Sequence, residues 1–191
     1  MELLENRIRK DGEVLPGNIL KVSSFLNHQI DVFLLDEMGK EFKRLYDNTE
    51  VTKILTIESS GIAVAYPVAR EFKVPLVFAK KHQSSNVNGE MLSTVVWSYT
   101  HSEYYNVVVQ KRYISPEDKV LLVDDFLANG SALNGLIDLV EQAGAKVAGV
   151  CIAIEKGFQN GGEEIRKKGY RIESLAKIKK MNEDGSIVFG D

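Results

Sequence analysis

One short stretch limits what this chain can fold into. Val120-Leu121-Leu122-Val123 is an unbroken apolar run, followed at once by Asp124-Asp125. Phe126-Leu127 and a cluster of small residues, Ala128, Gly130, Ser131 and Ala132 around Asn129, come next. A strand without polar alternation needs cover on both faces, which is the setting of a central strand in a parallel sheet. The strand is read as ending in the two aspartates, with a loop to Gly130, a helix to about residue 143, and Gly144 as its stop. In an open parallel sheet, ligands gather beyond the carboxyl ends of the strands. The strand thus carries two carboxylates to that edge. The small residues let backbone N–H groups approach an anion, and the next helix points the positive end of its dipole there. Carboxylates beside an anion cradle suit a ligand with a phosphate at one end and vicinal hydroxyls nearby, with Mg²⁺ able to bridge acids, hydroxyls and phosphates. A lone Asp-Asp would read as solvated or capping; the full string is far more restrictive.

The flanking sequence supplies the sheet. Residues 51 to 57 are β-rich and end at Glu58-Ser59-Ser60-Gly61; a helix over about 61 to 72 and a strand over 77 to 79 follow. Strand, turn, helix, strand is a βαβ unit. Residues 146 to 154 read as another buried strand, 164 to 168 as a short helix, and 171 to 179 as a polar-faced strand or extended tail. Near the start, residues 2 to 10 have helical spacing and 19 to 22 are extended. Residues 31 to 46 form a helix with Asp31 as N-cap and Leu34, Leu35, Met38, Phe42 and Leu45 on one face. Residues 80 to 90 are a polar loop, and two β-like runs, 92 to 99 and 104 to 109, could build a flap with it. The fold class is α/β: a central parallel sheet flanked by helices, with both termini folded together over one edge.

Composition excludes several alternatives. The 191 residues suit one domain, read as spanning 1–191. The net charge of −3 comes from mixed signs, with no basic block for nucleic acid. Cys151 is the one cysteine, so no internal disulfide can form, and its apolar surroundings make it a small core hydrophobe. His28 and His101 lack paired metal ligands at useful spacing. No apolar run approaches the length of a membrane span, and the N-terminus has no signal-peptide core, so a soluble, cytoplasmic protein is expected.

The string from 121 to 132 resembles the phosphoribosyl-pyrophosphate signature of the type I phosphoribosyltransferases. Further stretches resemble the bacterial, xanthine-using branch of that family: Leu20-Lys21-Val22, residues Phe25-Leu26-Asn27-His28-Gln29-Ile30-Asp31, Glu58-Ser59-Ser60-Gly61-Ile62-Ala63, and Ile154-Glu155-Lys156. The resemblance covers essentially the whole chain. It implies a homodimeric, Mg²⁺-dependent enzyme of purine salvage. Such an enzyme makes xanthosine monophosphate and pyrophosphate from xanthine and 5-phosphoribosyl pyrophosphate. It also implies a hood built from residues 1–36 and about 156–191.

By the same resemblance, Ala128, Asn129, Gly130, Ser131 and Ala132 hold the 5′-phosphate. Asp124 and Asp125 face the ribose hydroxyls, directly or through Mg²⁺, and favour positive charge on the sugar. Glu58, Ser59, Ser60 and Gly61 resemble the pyrophosphate loop, although Ser59 or Ser60 also suits a plain helix cap. Lys81 is the first candidate for a flap contact to pyrophosphate, with Lys80 next and His82 in the same loop; solvation explains a loop lysine nearly as well. For the base, Lys156 would donate to O6 and N7, Asn27 to O2, and Leu20 would add backbone or apolar contact. Phe126 stacks on the ring or belongs to the core; Trp97 and Tyr99 read as packing or dimer surface. One departure stands out: where hypoxanthine–guanine relatives carry an aspartate near N7, four residues after the first acid, this chain has Ala128. Two rival readings stay open, guanine or hypoxanthine as the base, and a ligand-sensing regulator on the same fold. A control layer in which purine nucleotides bearing pyrophosphates inhibit the site is also open.

Overall fold

The computed structural model describes residues 1–81, 89–98, 103–182 and 184–190; of Ser98 only the backbone is described. His82, Tyr99 and His101 therefore lie outside the described residues. The elements run α1 (Glu2–Asp11), β1 (Glu13–Leu15), β2 (Ile19–Lys21), α2 (Val32–Leu45), β3 (Lys53–Ile57), α3 (Ser60–Phe72) and β4 (Leu76–Ala79). They continue with β5 (Met91–Ser98), β6 (Glu103–Gln110), β7 (Lys119–Leu127), α4 (Ser131–Gln142) and β8 (Lys146–Lys156). The last are α5 (Gly161–Lys167), β9 (Ile172–Met181) and β10 (Ile187–Phe189).

The central sheet has the order β10-β9-β8-β7-β3-β4, parallel throughout except for the antiparallel edge strand β10. Two cores cover its faces. Leu121 and Val123 of β7 point into one, with α1, α2 and α3. Val120 and Leu122 point into the other, with α4, Ile165 of α5 and the β5–β6 hairpin. This two-sided burial is why the β7 run is uniformly apolar. Each such side chain contributes about 1.5–3 kcal/mol when fully buried.

Local signals account for the helices. Asp31 caps α2, accepting the Leu34 N–H at 3.1 Å, and this bond leads the effects that lower its carboxyl pKa. Helices α2 and α3 cross where Gly39 meets Pro67; a Cβ on Gly39 would lie 2.8 Å from the Pro67 carbonyl carbon. Beneath α2, Tyr46 is wholly buried and its hydroxyl accepts the Val150 N–H at 3.1 Å.

The structure decides several sequence expectations. β7 does not stop at the aspartates: both lie inside a strand that runs to Leu127, because β8 keeps pairing with it as far as Leu127↔Glu155. Of the two readings of residues 171–179 the strand holds: residues 172–181 form a strand of the central sheet, parallel to β8. Much of the C-terminal stretch expected in the hood therefore belongs to the sheet. β2 falls within residues 19–22, read as extended, whereas β1 and β10, three residues each, are too short for a periodic signal. The termini do meet: the Met1 amine donates to the Leu175 carbonyl on β9.

Candidate active site

The site forms where strand order reverses. β4 lies on one side of β3, while β7 and its successors lie on the other. β3 and β7 pair only as far as Leu55↔Leu122, and beyond that point they part. A crevice outside the carboxyl ends of two such strands is the usual ligand position in an open parallel sheet.

Asp124 and Asp125 enter this crevice from β7, both less than a tenth exposed. The Asp125 N–H donates to Asp124 Oδ1 at 3.0 Å. Burial, and then the charge of Asp125, push the Asp124 carboxyl well above the usual range. Lys81 acts in the opposite direction, as an opposite charge near a carboxylate must. On the β3 side, the peptide between Glu58 and Ser59 is cis. Glu58 Oε1 accepts the Lys81 N–H at 2.7 Å, joining this loop to the start of the flap. The Lys81 ammonium lies 5.4 Å from the centre of the Tyr105 ring. Lys80 is fixed by its backbone, which exchanges two 2.8 Å bonds with Val108.

Gly61 is needed for close approach. A Cβ there would overlap Thr56 Oγ1 and stand 3.0 Å from Asp124 Oδ1. Thr56 Oγ1 is itself buried without a hydrogen-bond partner among the described residues. A buried, unpaired hydroxyl across Gly61 from the Asp124 carboxyl leaves room for one more hydrogen-bonding partner.

The loop after β7 has the form expected of an anion cradle. Gly130 is left-handed, with φ +82°. Asn129 Oδ1 accepts the Ser131 N–H at 2.9 Å, capping α4 from two residues upstream. Ser131 Oγ accepts the Trp97 N–H of β5 at 3.1 Å and keeps its own proton to donate. Helix α4 thus carries the loop at its end and the hairpin on its side. A cavity of about 360 Å³ opens here, lined by Trp97, Tyr104, Asn129, Ser131 and Asn134. Trp97 and Tyr104 pack edge to face at 4.7 Å, as the packing reading of Trp97 requires. Ala128 and Ala132 complete the loop without adding bulk.

The N-terminal segment approaches from the other side. Asn27 ends a single wide π-helical turn, Ser23–Asn27, and its Nδ2 reaches Asp125 Oδ2 at 3.4 Å. Lys156 is the last residue of β8; its ammonium donates to the Asn18 carbonyl at 2.9 Å and lies 5.9 Å from the Phe126 ring centre. Partial burial lowers the Lys156 pKa. Phe126 packs half-buried against the first core, and Leu20 is buried on β2. The N-terminal segment thus touches the acidic pair through Asn27, and Lys156 lies beside Phe126 on the neighbouring strand. Sequence reasoning missed Gly161 and Gly162, which open α5: a Cβ on Gly161 would overlap the backbone of Ala128, Asn129 and Gly130. Adjacent glycines read as a turn, and nothing local ties them to a loop thirty residues upstream.

The family profile described as "Phosphoribosyl transferase domain" matches residues 21–185. A protein named xanthine phosphoribosyltransferase from Lachnoclostridium phytofermentans is 59% identical over 99% of this chain and 98% of its own length. One of the same name from Clostridium novyi is 56% identical over 99% of both chains. Among solved structures, adenine phosphoribosyltransferase from Giardia lamblia, complexed with 9-deazaadenine, superposes with a TM-score of 0.76 at 26% identity. That match covers 91% of this chain and 97% of the other. A parallel sheet with an acidic pair and a glycine cradle at its switch point agrees with these matches, and the chain belongs to the phosphoribosyltransferase family, with the type I fold.

Proposed function

We propose that this chain transfers the 5-phosphoribosyl group of 5-phosphoribosyl pyrophosphate to xanthine, releasing pyrophosphate and xanthosine monophosphate in purine salvage. The observation that carries the reading is the bond from Asn27 to Asp125, which supports taking the expected base and sugar residues as neighbours. The near full-length relatives named for this activity support it.

The 5′-phosphate sits on the loop from Ala128 to Ala132, against its N–H groups, the Ser131 hydroxyl and the start of α4. Asp124 and Asp125 accept from the 2′- and 3′-hydroxyls. As the bond from C1′ to pyrophosphate breaks, the electron pair leaves with the pyrophosphate oxygen. The sugar becomes positive, and the acidic pair stabilises that charge. N9 of the base then bonds C1′ and its proton departs. The loop from Glu58 to Gly61 and Lys81 receive the leaving group and exclude water. Ala128 offers no carboxylate to take the base proton, which suits a base that ionises as readily as xanthine. Asn27 donating to O2 rejects guanine, whose amino group there is also a donor.

The donor set fits Mg²⁺ in one way only. No cluster of three or more metal-binding side chains occurs among the described residues, so the ion must take most of its oxygens from substrate. The adjacent carboxylates Asp124 and Asp125, the former near the unpaired Thr56 hydroxyl across Gly61, are suited to that share. When bound, the ion would neutralise charge building on pyrophosphate. The chain is also read as a cytoplasmic homodimer, for which Val32 and Phe33 on α2 and Tyr66 on α3, each about two-thirds exposed, offer an apolar surface. Purine nucleotides bearing pyrophosphates would compete at the same crevice.

The test is incubation with 5-phosphoribosyl pyrophosphate, Mg²⁺ and equal xanthine, guanine and hypoxanthine. Xanthosine monophosphate should dominate the products. Guanosine or inosine monophosphate in its place would overturn the base assignment. Ligand binding without any nucleotide formed would favour the regulator.

A further inference from the structure

Beside the site lies a half-buried charge pair to which the reaction assigns no part. Glu155, just before Lys156 on β8, is only 2% exposed. Arg166 of α5 donates to both its oxygens, Nη1 to Oε1 and Nη2 to Oε2, each at 2.7 Å. Ser174 of β9 donates to Oε2 at 2.5 Å. Burial alone would raise the Glu155 pKa; the bonds from Arg166 and Ser174 outweigh it and hold the group ionised, below its usual value. A two-toothed guanidinium–carboxylate bond fixes angle as well as distance.

That fork fixes α5, and α5 touches the phosphate loop. Gly162 sits against the pair itself: a Cβ there would overlap Glu155 Oε1 and lie 2.7 Å from Arg166 Nη1. Gly161, one residue earlier, lies flat on the backbone from Ala128 to Gly130. Ile165 is fully buried, and its Cδ1 would be 3.0 Å from a Cβ on Gly130. The glycine pair lets the first turn of a seven-residue helix fit between Glu155 and the left-handed turn at Gly130.

We propose that Glu155 and Arg166 are positioning residues for the 5′-phosphate, acting through α5 and Gly161 on the loop at Gly130. The inference rests on the phosphate reading of that loop. Neither residue touches substrate; the pair holds the loop's outer wall, so that its N–H groups keep one geometry. A small misplacement of binding groups costs up to about a hundredfold in rate.

The experiment measures ribose 5-phosphate binding by calorimetry, with KM for both substrates and kcat, in the full-length enzyme. Arg166→Lys keeps the charge but loses the fork, and Gly161→Ala pushes on the loop directly. Each should weaken ribose 5-phosphate binding by about tenfold while KM for xanthine changes less than about twofold. The double variant Glu155→Met/Arg166→Met removes the pair together and guards against misfolding, since apolar residues of similar volume replace buried ion pairs at little cost. It should melt near the parent temperature yet still bind ribose 5-phosphate poorly, which a merely structural pair would not predict. Ser131→Ala serves as the direct probe of the loop. If Ser131→Ala weakens binding but the Arg166 variants and Gly161→Ala do not, the positioning role is refuted alone. If none of them alters binding, the phosphate reading and this inference fall together.

Discussion

Gly130 and Gly169 make a matched pair that separates backbone strain from crowding at the phosphate loop. Both are left-handed, with φ +82° and +93°. A Cβ on Gly169 meets nothing within 4 Å, whereas one on Gly130 meets Ile165 Cδ1 at 3.0 Å and Gly161 Cα at 3.3 Å. Gly169→Ala therefore bears strain alone, about 1–2 kcal/mol, offset by about 0.4–1 kcal/mol from the stiffer unfolded chain. Its net cost is about 0–1.6 kcal/mol. Gly130→Ala bears the same strain plus overpacking of about 1–3 kcal/mol, for a net cost of about 1–4.6 kcal/mol. For a chain of this size each kcal/mol shifts Tm by about 2–4 °C. Urea and thermal unfolding should place Gly130→Ala well below Gly169→Ala. Only the former should raise KM for 5-phosphoribosyl pyrophosphate, because only there must the loop move. Equal stability losses, or a native KM in Gly130→Ala, would show that the loop tolerates a side chain and refute the reasoning.

The other predictions concern charge and hydrogen bonding. Asp124→Asn should abolish turnover yet stabilise the fold at neutral and alkaline pH. The folded pKa lies above the ordinary 3.8, so the ionisation penalty is full above that raised value and absent below the ordinary one. The gain over the parent should therefore vanish as pH falls towards 4, and a gain independent of pH would contradict the assignment. Asn27→Ala should raise KM for xanthine by about tenfold, one lost hydrogen bond, with KM for the sugar donor nearly unchanged; steady-state kinetics check both. Tyr46→Phe removes a hydroxyl that lies within hydrogen-bond reach of the Val150 and Arg171 carbonyls, while the Val150 N–H keeps its bond to Arg171, and it should cost about 0.5–1.5 kcal/mol in denaturant unfolding without altering kinetics.

The sequence made some of this legible and hid the rest for physical reasons. Burial on both faces leaves a mark that a reader can see, so β7 and β8 were readable from their apolar runs. Asp31 announced α2 because a cap is a local bond between near neighbours. The length of β7 was misjudged because aspartates disfavour strands, and only pairing with β8 overrides that preference. β9 alternates enough lysine and glutamate to resemble an exposed tail, although residues such as Leu175, Ala176 and Ile178 are buried. In the site, the acidic pair and small-residue loop stood out because their chemistry is contiguous. The wall behind them, from Glu155 to Arg166 and Gly161, is assembled from three elements and had no contiguous signal.

The unequal pairing of β7 has a consequence for how such a chain can vary. The strand leaves β3 after Leu122 but stays with β8 to Leu127, so its two acids are fixed on one side by a ladder and open on the other. Slipping β7 by one residue against β8 would exchange the faces of Asp124 and Asp125 and turn the core face outward. An insertion between Leu121, where the register with β8 shifts once, and Leu127 is thus opposed twice, by chemistry and by packing. Diversification in substrate choice has to come from segments that border the crevice without setting that spacing, such as the turn bearing Asn27 and the hairpin loop after Leu15.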